Sequence, residues 1–286
     1  MIWLWLTIIY LVFLTAAELI NKKTINNVSI DEVVFGAVVQ LTTAAFAFIF
    51  AMIGGWRFTF TLESTLLYVG MGITYFFAVT FYFIGLKKID VSLVSIISSL
   101  GSIFSLLFGA IFLREATSLG KLIGIGAIIA ANAILFINGR ISGGIKYILI
   151  TAASSFFYAL GAVFDKTLNT YGNALSYLTL SFLAAGVSML LVHYKRTIKA
   201  YTVSFRNKKF WYGVSINGLL YALGFWALFS AYQRGGEVSR MFPITMSTAI
   251  IIPLAGIVIL GERTNIVRKL VAASVAFVGL YILGTH

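Results

Sequence analysis

Apolar residues fill this chain in long runs, and polar or charged residues gather in the short gaps between them. Crossing the hydrocarbon of a bilayer takes roughly 20 mostly apolar residues. Ten runs approach that length, at 2–20, 33–54, 65–86, 91–113, 119–138, 144–165, 174–193, 211–232, 239–260 and 266–284. The pattern therefore predicts an all-α integral membrane protein with ten transmembrane helices, here spans 1 to 10. The connections are mostly short, which predicts one compact bundle without a soluble domain. The longest connection, Lys195 to Trp211, mixes basic and aromatic residues. It reads as an interfacial segment with Tyr201, Phe205 and Trp211 at the membrane boundary, in preference to a docking site. The first run has no basic leader and no small-x-small cleavage site, so it is expected to be a retained helix.

A second pattern lies over the first. The stretch DVSLVSIISSLGSIFSLLFGAIFLREAT, Asp90 to Thr117, returns as EVSRMFPITMSTAIIIPLAGIVILGERT, Glu237 to Thr264, at an ungapped offset of 147 residues. The offset pairs Ser92 with Ser239, Gly109 with Gly256, Glu115 with Glu262 and Thr117 with Thr264. The chain thus divides into matched halves, 1–140 and 141–286, with five spans each. An odd number of crossings reverses direction, so the second half is expected to be inverted relative to the first. Inverted repeats around a midplane cavity are a usual architecture of secondary transporters.

Composition narrows the classes. Only 10% of the residues are charged and 60% are apolar, against about 25% charged in a soluble domain. A net charge of +12 would suggest nucleic acid in a soluble chain. Here the basic residues lie beside apolar spans, so lipid headgroups and topology account for them better. Cysteine is absent, which removes disulfides and thiolate chemistry. Loops after odd-numbered spans hold 15 Lys and Arg, those after even-numbered spans six. The positive-inside rule then places the odd loops in the cytoplasm and both termini outside. The loop after span 7 carries much of that difference, so the charge count leaves orientation open.

The segment FYFIGLKKIDVSLVSIISSLGSIFSLLFGAIFLREATSLGKLIGIGAIIAANAILF, Phe81 to Phe136, has an aromatic end of span 3 and a small-residue-rich span 4. A Glu-containing loop and a Gly/Ala-rich span 5 follow, and ILGERTNIVRKLVAASVAFVGLYIL, Ile259 to Leu283, repeats the end of the pattern. In these features the chain resembles the EamA-type drug/metabolite transporter superfamily. The resemblance implies a ten-helix, two-repeat secondary transporter of small polar metabolites, amino acids or amphipathic compounds. It also implies a multi-pass protein of the cell membrane, here assigned to a prokaryotic inner membrane. Several members are drawn with both termini cytoplasmic, opposite to the charge count. In the family helices 2 and 5 tend to lie peripherally, which sets aside the intramembrane Gln40 and Asn132.

Candidate chemistry rests on few groups. Glu115 and Glu262 each precede a new helix, beside Thr117–Ser118 or Thr264–Asn265, where a carboxylate stabilises a helix N-terminus; a gate contact is the alternative. Glu18 and Asp165 are paired by the same offset, near the far end of the first span of each half. Lys22 lies four residues from Glu18, close enough in a helix for an ion pair, and Lys166 adjoins Asp165. Acids in spans tend to face an aqueous path, yet these two also lie near enough to the span ends to reach the interface. They are read either as anchors or as gate and proton-coupling residues. No acid sits at mid-span, which predicts a polar but uncharged cavity and argues against a central exchanging Glu.

Tyr75, Tyr158, Asn217 and Tyr221 lie deep enough in spans 3, 6 and 8 to line a pocket for a polar solute, with helix packing as the competing reading. For Tyr68 and Tyr82, nearer span ends, packing or interfacial placement is preferred. The serines of span 4 cover too much of its circumference to define a pocket. Span 9 alone carries prolines, Pro243 and Pro253, and is expected to be the hinge.

The reading that follows is a secondary active transporter working by alternating access. It is expected to export a small polar or amphipathic, amino-acid-like metabolite; the alternative is multidrug efflux by proton antiport. An integral-membrane enzyme is disfavoured, because His193 and His286 sit at span ends and no metal or nucleophile cluster appears. A channel would call for a charged ring or filter motif. The expected partners are a small-molecule substrate, membrane lipid and a proton as candidate coupling ion, without nucleic acid, cofactor or metal. The assembly is expected to be a monomer or homodimer.

Overall fold

The computed structural model describes residues 2–27, 32–88, 94, 97–136, 144–196, 198, 207–248, 250–251 and 266–285. Ten helices run through these residues: α1 (Ile2–Asn27), α2 (Glu32–Gly54), α3 (Leu62–Lys88), α4 (Gly101–Leu113), α5 (Leu119–Phe136), α6 (Ile145–Leu168), α7 (Ala174–Val192), α8 (Lys208–Gln233), α9 (Val238–Met246) and α10 (Ile266–Thr285). Seven of them are long and apolar enough to cross a membrane; α4 and α5 are apolar but shorter. Helix α9, nine residues long as described, corresponds to the start of span 9.

The distribution of polarity is that of a protein solvated by lipid. Thr7, Thr43, Ser102, Ser105, Asn132 and Asn217 are buried, while Ile53, Leu62, Val267 and Phe277 are exposed. With no hydrophobic force between helices in lipid, small residues that allow close approach decide the packing. At the α5–α10 crossing a β-carbon on Gly124 would stand 2.6 Å from Leu283 Cγ and 3.1 Å from the Gly279 carbonyl. The buried serines of α4 also pack, and Ser155 of α6 donates to the Ile97 carbonyl at 3.2 Å.

The most extensive contacts form related pairs. Helix α3 lies along α6 and α1 along α8, and each pair maps on the other under the repeat. Helix α2 packs on α7, and α5 on α10.

One end of the bundle is tied shut by its loops. Arg57 N–H donates to Ser176 Oγ at 3.0 Å, Asn173 N–H to the Arg57 carbonyl at 2.9 Å, and Thr59 N–H to the Tyr171 carbonyl at 2.8 Å. Asn173 caps α7 by accepting from Ser176 N–H at 2.9 Å, and its amide reaches the Gly55 carbonyl at 2.6 Å. Gln233, at the end of α8, donates to the Gly172 carbonyl at 2.8 Å.

Helix α9 is interrupted soon after Pro243. Proline cannot donate to the carbonyl four residues back, and just beyond it Thr245, Ser247 and Thr248 turn their hydroxyls onto carbonyls three residues back. Such bonding competes with the backbone and bends helices. The helix ends at Met246. The second expected hinge residue, Pro253, lies outside the described residues.

Overpacking at a tight crossing usually costs about 1–3 kcal/mol. Gly124→Val is therefore expected to lower the thermal unfolding midpoint of the detergent-solubilised protein, with the fold retained by circular dichroism.

Candidate functional site

The two acids paired by the repeat make the same kind of contact. Asp165 in α6 accepts from Tyr75 of α3, hydroxyl to Oδ2 at 2.6 Å. Glu18 in α1 accepts from Tyr221 of α8, hydroxyl to Oε1 at 2.6 Å. Each acid stands on the first helix of one half, and each tyrosine on the third helix of the other. Asp165 has a second donor, Tyr177 of α7, hydroxyl to Oδ1 at 2.5 Å. The close approach of Tyr75 depends on Gly161, where a β-carbon would stand 2.7 Å from the ring. The carboxylate, Gly161 and Tyr158 occupy one face of α6, as their spacing predicts.

Asp165 lies deep in a cavity of about 790 Å³ between α3, α7 and α8, within the range of small-molecule sites. Tyr75 and Tyr158 line it as well, and their rings meet edge to face at 6.1 Å. Phe76, Phe182, Phe225 and Phe229 supply apolar wall. His193 and Arg196, past the end of α7, border it far from Asp165. The expectation of an uncharged cavity is thus corrected: the space reaches down to the end of α6 instead of stopping at mid-span, and so takes in Asp165.

Glu18, Asn217 and Tyr221 do not border this cavity; Asn217 is buried in α8, and Glu18 and Tyr221 bind each other. The expected neighbour of Glu18, Lys22, has its side chain outside the described residues. Lys166 pairs not with Asp165 but with Glu115, at 2.9 Å.

Four further residues contribute. Tyr177, Ser181 and Ser188 lie at i, i+4 and i+11 on one face of α7, a polar stripe legible in the sequence. Gln40 of α2, expected at the periphery, also lines the cavity.

At the closed end Glu115 does not cap the helix that follows it. Ser118 takes that role, accepting from Lys121 N–H at 3.2 Å. Arg114 ends α4 in the left-handed region (φ 54°), and Glu115 N–H closes the turn on the Gly109 carbonyl at 3.0 Å. This Schellman-type ending usually takes glycine. It turns Glu115 under α9, where its two oxygens accept from the N–H groups of Val238 at 2.7 Å and Ser239 at 2.9 Å. A carboxylate of the first half therefore caps a helix of the second. Buried Lys121 braces the same point, with Nζ 2.6 Å from Glu237 and 3.0 Å from Ser239 Oγ. The equivalent residue, Glu262, lies outside the described residues. Burial acts to raise the Glu115 carboxyl, but hydrogen bonds from Ser239 and the Lys166 ammonium outweigh it and hold the pKa below its ordinary value.

The profile of the EamA-like transporter family matches residues 1–137 and again residues 145–285. The chain belongs to the EamA-like transporter family. It is a multi-pass membrane transporter of the drug/metabolite type, as the resemblance read from spans 3 to 5 and 10 implied. A solved structure described only as "Crystal structure of protein" superposes with a TM-score of 0.77 at 15% identity, over 98% of this chain and 95% of the other. At that identity the likeness speaks for the fold alone. No curated protein matches. EamA-like family members are transporters, which accords with a site of hydroxyls, aromatic rings and one carboxylate; among the described residues no group of His, Cys, Asp and Glu could hold a metal.

Hydrogen bonds to a charged group contribute about 1.5–3 kcal/mol, so Glu115→Gln should unfold at lower temperature than wild type at pH 7. A depressed folded pKa stabilises above the unfolded value and is lost as pH falls through the folded one. Thermal scans at successively lower pH should therefore show the gap between the two proteins closing below the ordinary carboxyl range.

Proposed function

We propose that this protein is a secondary active transporter working by alternating access between two inverted five-helix halves. The observation that carries the reading is a broken symmetry. Helix α2 packs closely along α8, where a β-carbon on Gly218 would stand 2.7 Å from Thr42 Cγ2. Phe35, Val38, Phe210 and Val214 join the same contact. Under the offset of 147 this pair of helices corresponds to α7 and α3, and Thr42 and Gly218 correspond to Met189 and Met71. Those two methionines line the cavity. One helix pair is shut where its counterpart is parted. Exchange of the two arrangements would close this cavity and open another toward the opposite side, and interfaces with two discrete packings support such transitions.

The ends of the bundle fit the same reading. The loops at 55–61, 114–118, 169–173 and 234–237 close one side, and the cavity runs toward the other. That other side carries the odd-numbered loops, richer in Lys and Arg, and is cytoplasmic under the positive-inside rule. The arrangement is then inward-open, the state in which an exporter loads its solute. A small polar or amphipathic metabolite fits the cavity size. Pro243, beside the interruption in α9, is the proposed hinge, with Glu115 as the contact that must release when the closed end opens.

Proton antiport is favoured as the coupling by one feature, the placement of Asp165 at the cavity and Glu18 at the symmetry-related contact. Each carboxyl would take or release a proton as its tyrosine contact forms and breaks.

Reconstitution into proteoliposomes with labelled amino acids, sugars and amphipathic drugs, with and without a pH gradient, tests the reading; absence of solute-dependent flux for every class would contradict it. Asp165→Asn and Glu18→Gln should each slow flux at least tenfold while the protein still inserts. Because the chain has no cysteine, cysteines introduced at Phe35 and Phe210, whose rings meet at 6.2 Å in this contact, can be joined selectively by a bifunctional methanethiosulfonate. Crosslinking should stop flux and reduction restore it; undiminished flux after complete crosslinking would rule out separation of α2 from α8.

A further inference from the structure

We infer that the cavity selects an aromatic amine: a flat apolar body carrying an ammonium group and no adjacent carboxylate. The inference rests on the transport reading only in calling the occupant a substrate. It starts from the lone pairs of Asp165. A carboxylate offers about four acceptor sites, and the two tyrosines use one on each oxygen, at 2.6 and 2.5 Å. Among the described residues no lysine, arginine or histidine pairs with Asp165; its neighbour in sequence, Lys166, is bound to Glu115. An ionised carboxylate in a low-dielectric site needs a cation, and the remaining acceptor sites suit the N–H groups of an ammonium.

The surroundings define the body of that ligand. Tyr177 meets Phe229 edge to face at 4.9 Å, Phe229 meets Phe225 at 5.9 Å, and Phe225 meets Phe182 at 4.8 Å. On the α3–α6 side Tyr158 stands between Tyr75 and Tyr82, at 6.1 and 6.4 Å. Two aromatic ladders therefore flank the acid. Rings stack on a flat apolar body, and their faces attract an ammonium.

The cavity's basic residues decide against a zwitterion. His193 and Arg196 lie beyond the end of α7, and Asp165 is bound at Tyr177 in the first turn of that helix. At 1.5 Å rise per residue, Tyr177 and His193 are separated by about 24 Å along the helix. An α-amino acid, with both charges on one carbon, cannot reach both. With its ammonium on Asp165, its carboxylate would lie beside a like charge and two hydroxyls already donated.

The test uses three ligands that share a benzyl group and carry different charges: phenethylamine, phenylalanine and phenylacetate, titrated by calorimetry into the wild-type protein in lipid nanodiscs. Phenethylamine should bind at least tenfold more tightly than either of the others. Asp165→Asn should abolish that preference, and Tyr177→Phe should weaken amine binding while keeping the rank order. Equal or tighter binding of phenylalanine or phenylacetate, or no binding of the amine, would overturn the inference. The wild-type series decides this even if Asp165→Asn fails to fold. Flux assays separate the two levels: selective amine binding without flux in proteoliposomes contradicts transport and leaves the site standing, whereas flux of other solutes without amine binding contradicts the site alone.

Discussion

Taking a carboxylate out of water costs several kcal/mol unless its partners compensate, and the two halves of this bundle meet at two acids, Asp165 buried and Glu18 half-buried. Glu18 and Asp165 are each met by a tyrosine hydroxyl from the opposite half. These contacts hold α1 to α8 and α6 to α3, the two most extensive helix pairs. The other pairings in the bundle, α2 on α7 and α5 on α10, bring together equivalent helices of the two halves. The remaining asymmetry is concentrated where α2 meets α8 and where α3 leaves α7, and the cavity occupies the second of these.

The closed end illustrates how a local backbone choice acts across the molecule. Arg114 takes a left-handed conformation that ordinarily favours glycine. The turn it makes puts Glu115 onto the exposed N–H groups of α9. Free N–H groups at a helix start are among the better sites for a carboxylate. Lys121 and Lys166, from α5 and α6, converge on the same point. Four helices therefore share one charged junction, and any opening at this end must dismantle it.

The all-helical fold and the family were legible in the sequence because both depend on features that survive one residue at a time: uniform apolar runs, and a 28-residue stretch repeated at fixed offset. Contacts between halves were less legible. Tyr75 maps under the offset to Ala222, one position from Tyr221, so the matched hydroxyls do not align in sequence. Glu115 was read against the helix that follows it, since sequence proximity favours local caps; only the three-dimensional turn at Arg114 reveals its partner in the other half. Tyr177 escaped notice because its counterpart, Ile30, has no hydroxyl. Periodicity identifies which face of a helix is polar, but not which other helix it faces.

Reciprocal movement of the two helix pairs is the central claim, and distances between spin labels measure it directly. Labels attach only at introduced cysteines. One pair at Ile84, at the cavity, and Leu191 spans α3 and α7, and another at Ile53 and Trp226 spans α2 and α8; all four side chains are exposed. Electron–electron resonance in nanodiscs, across pH and with transported solute present, should reveal a second population in which the first distance shortens and the second lengthens. Distances that never change, or that change in the same sense, would contradict the account.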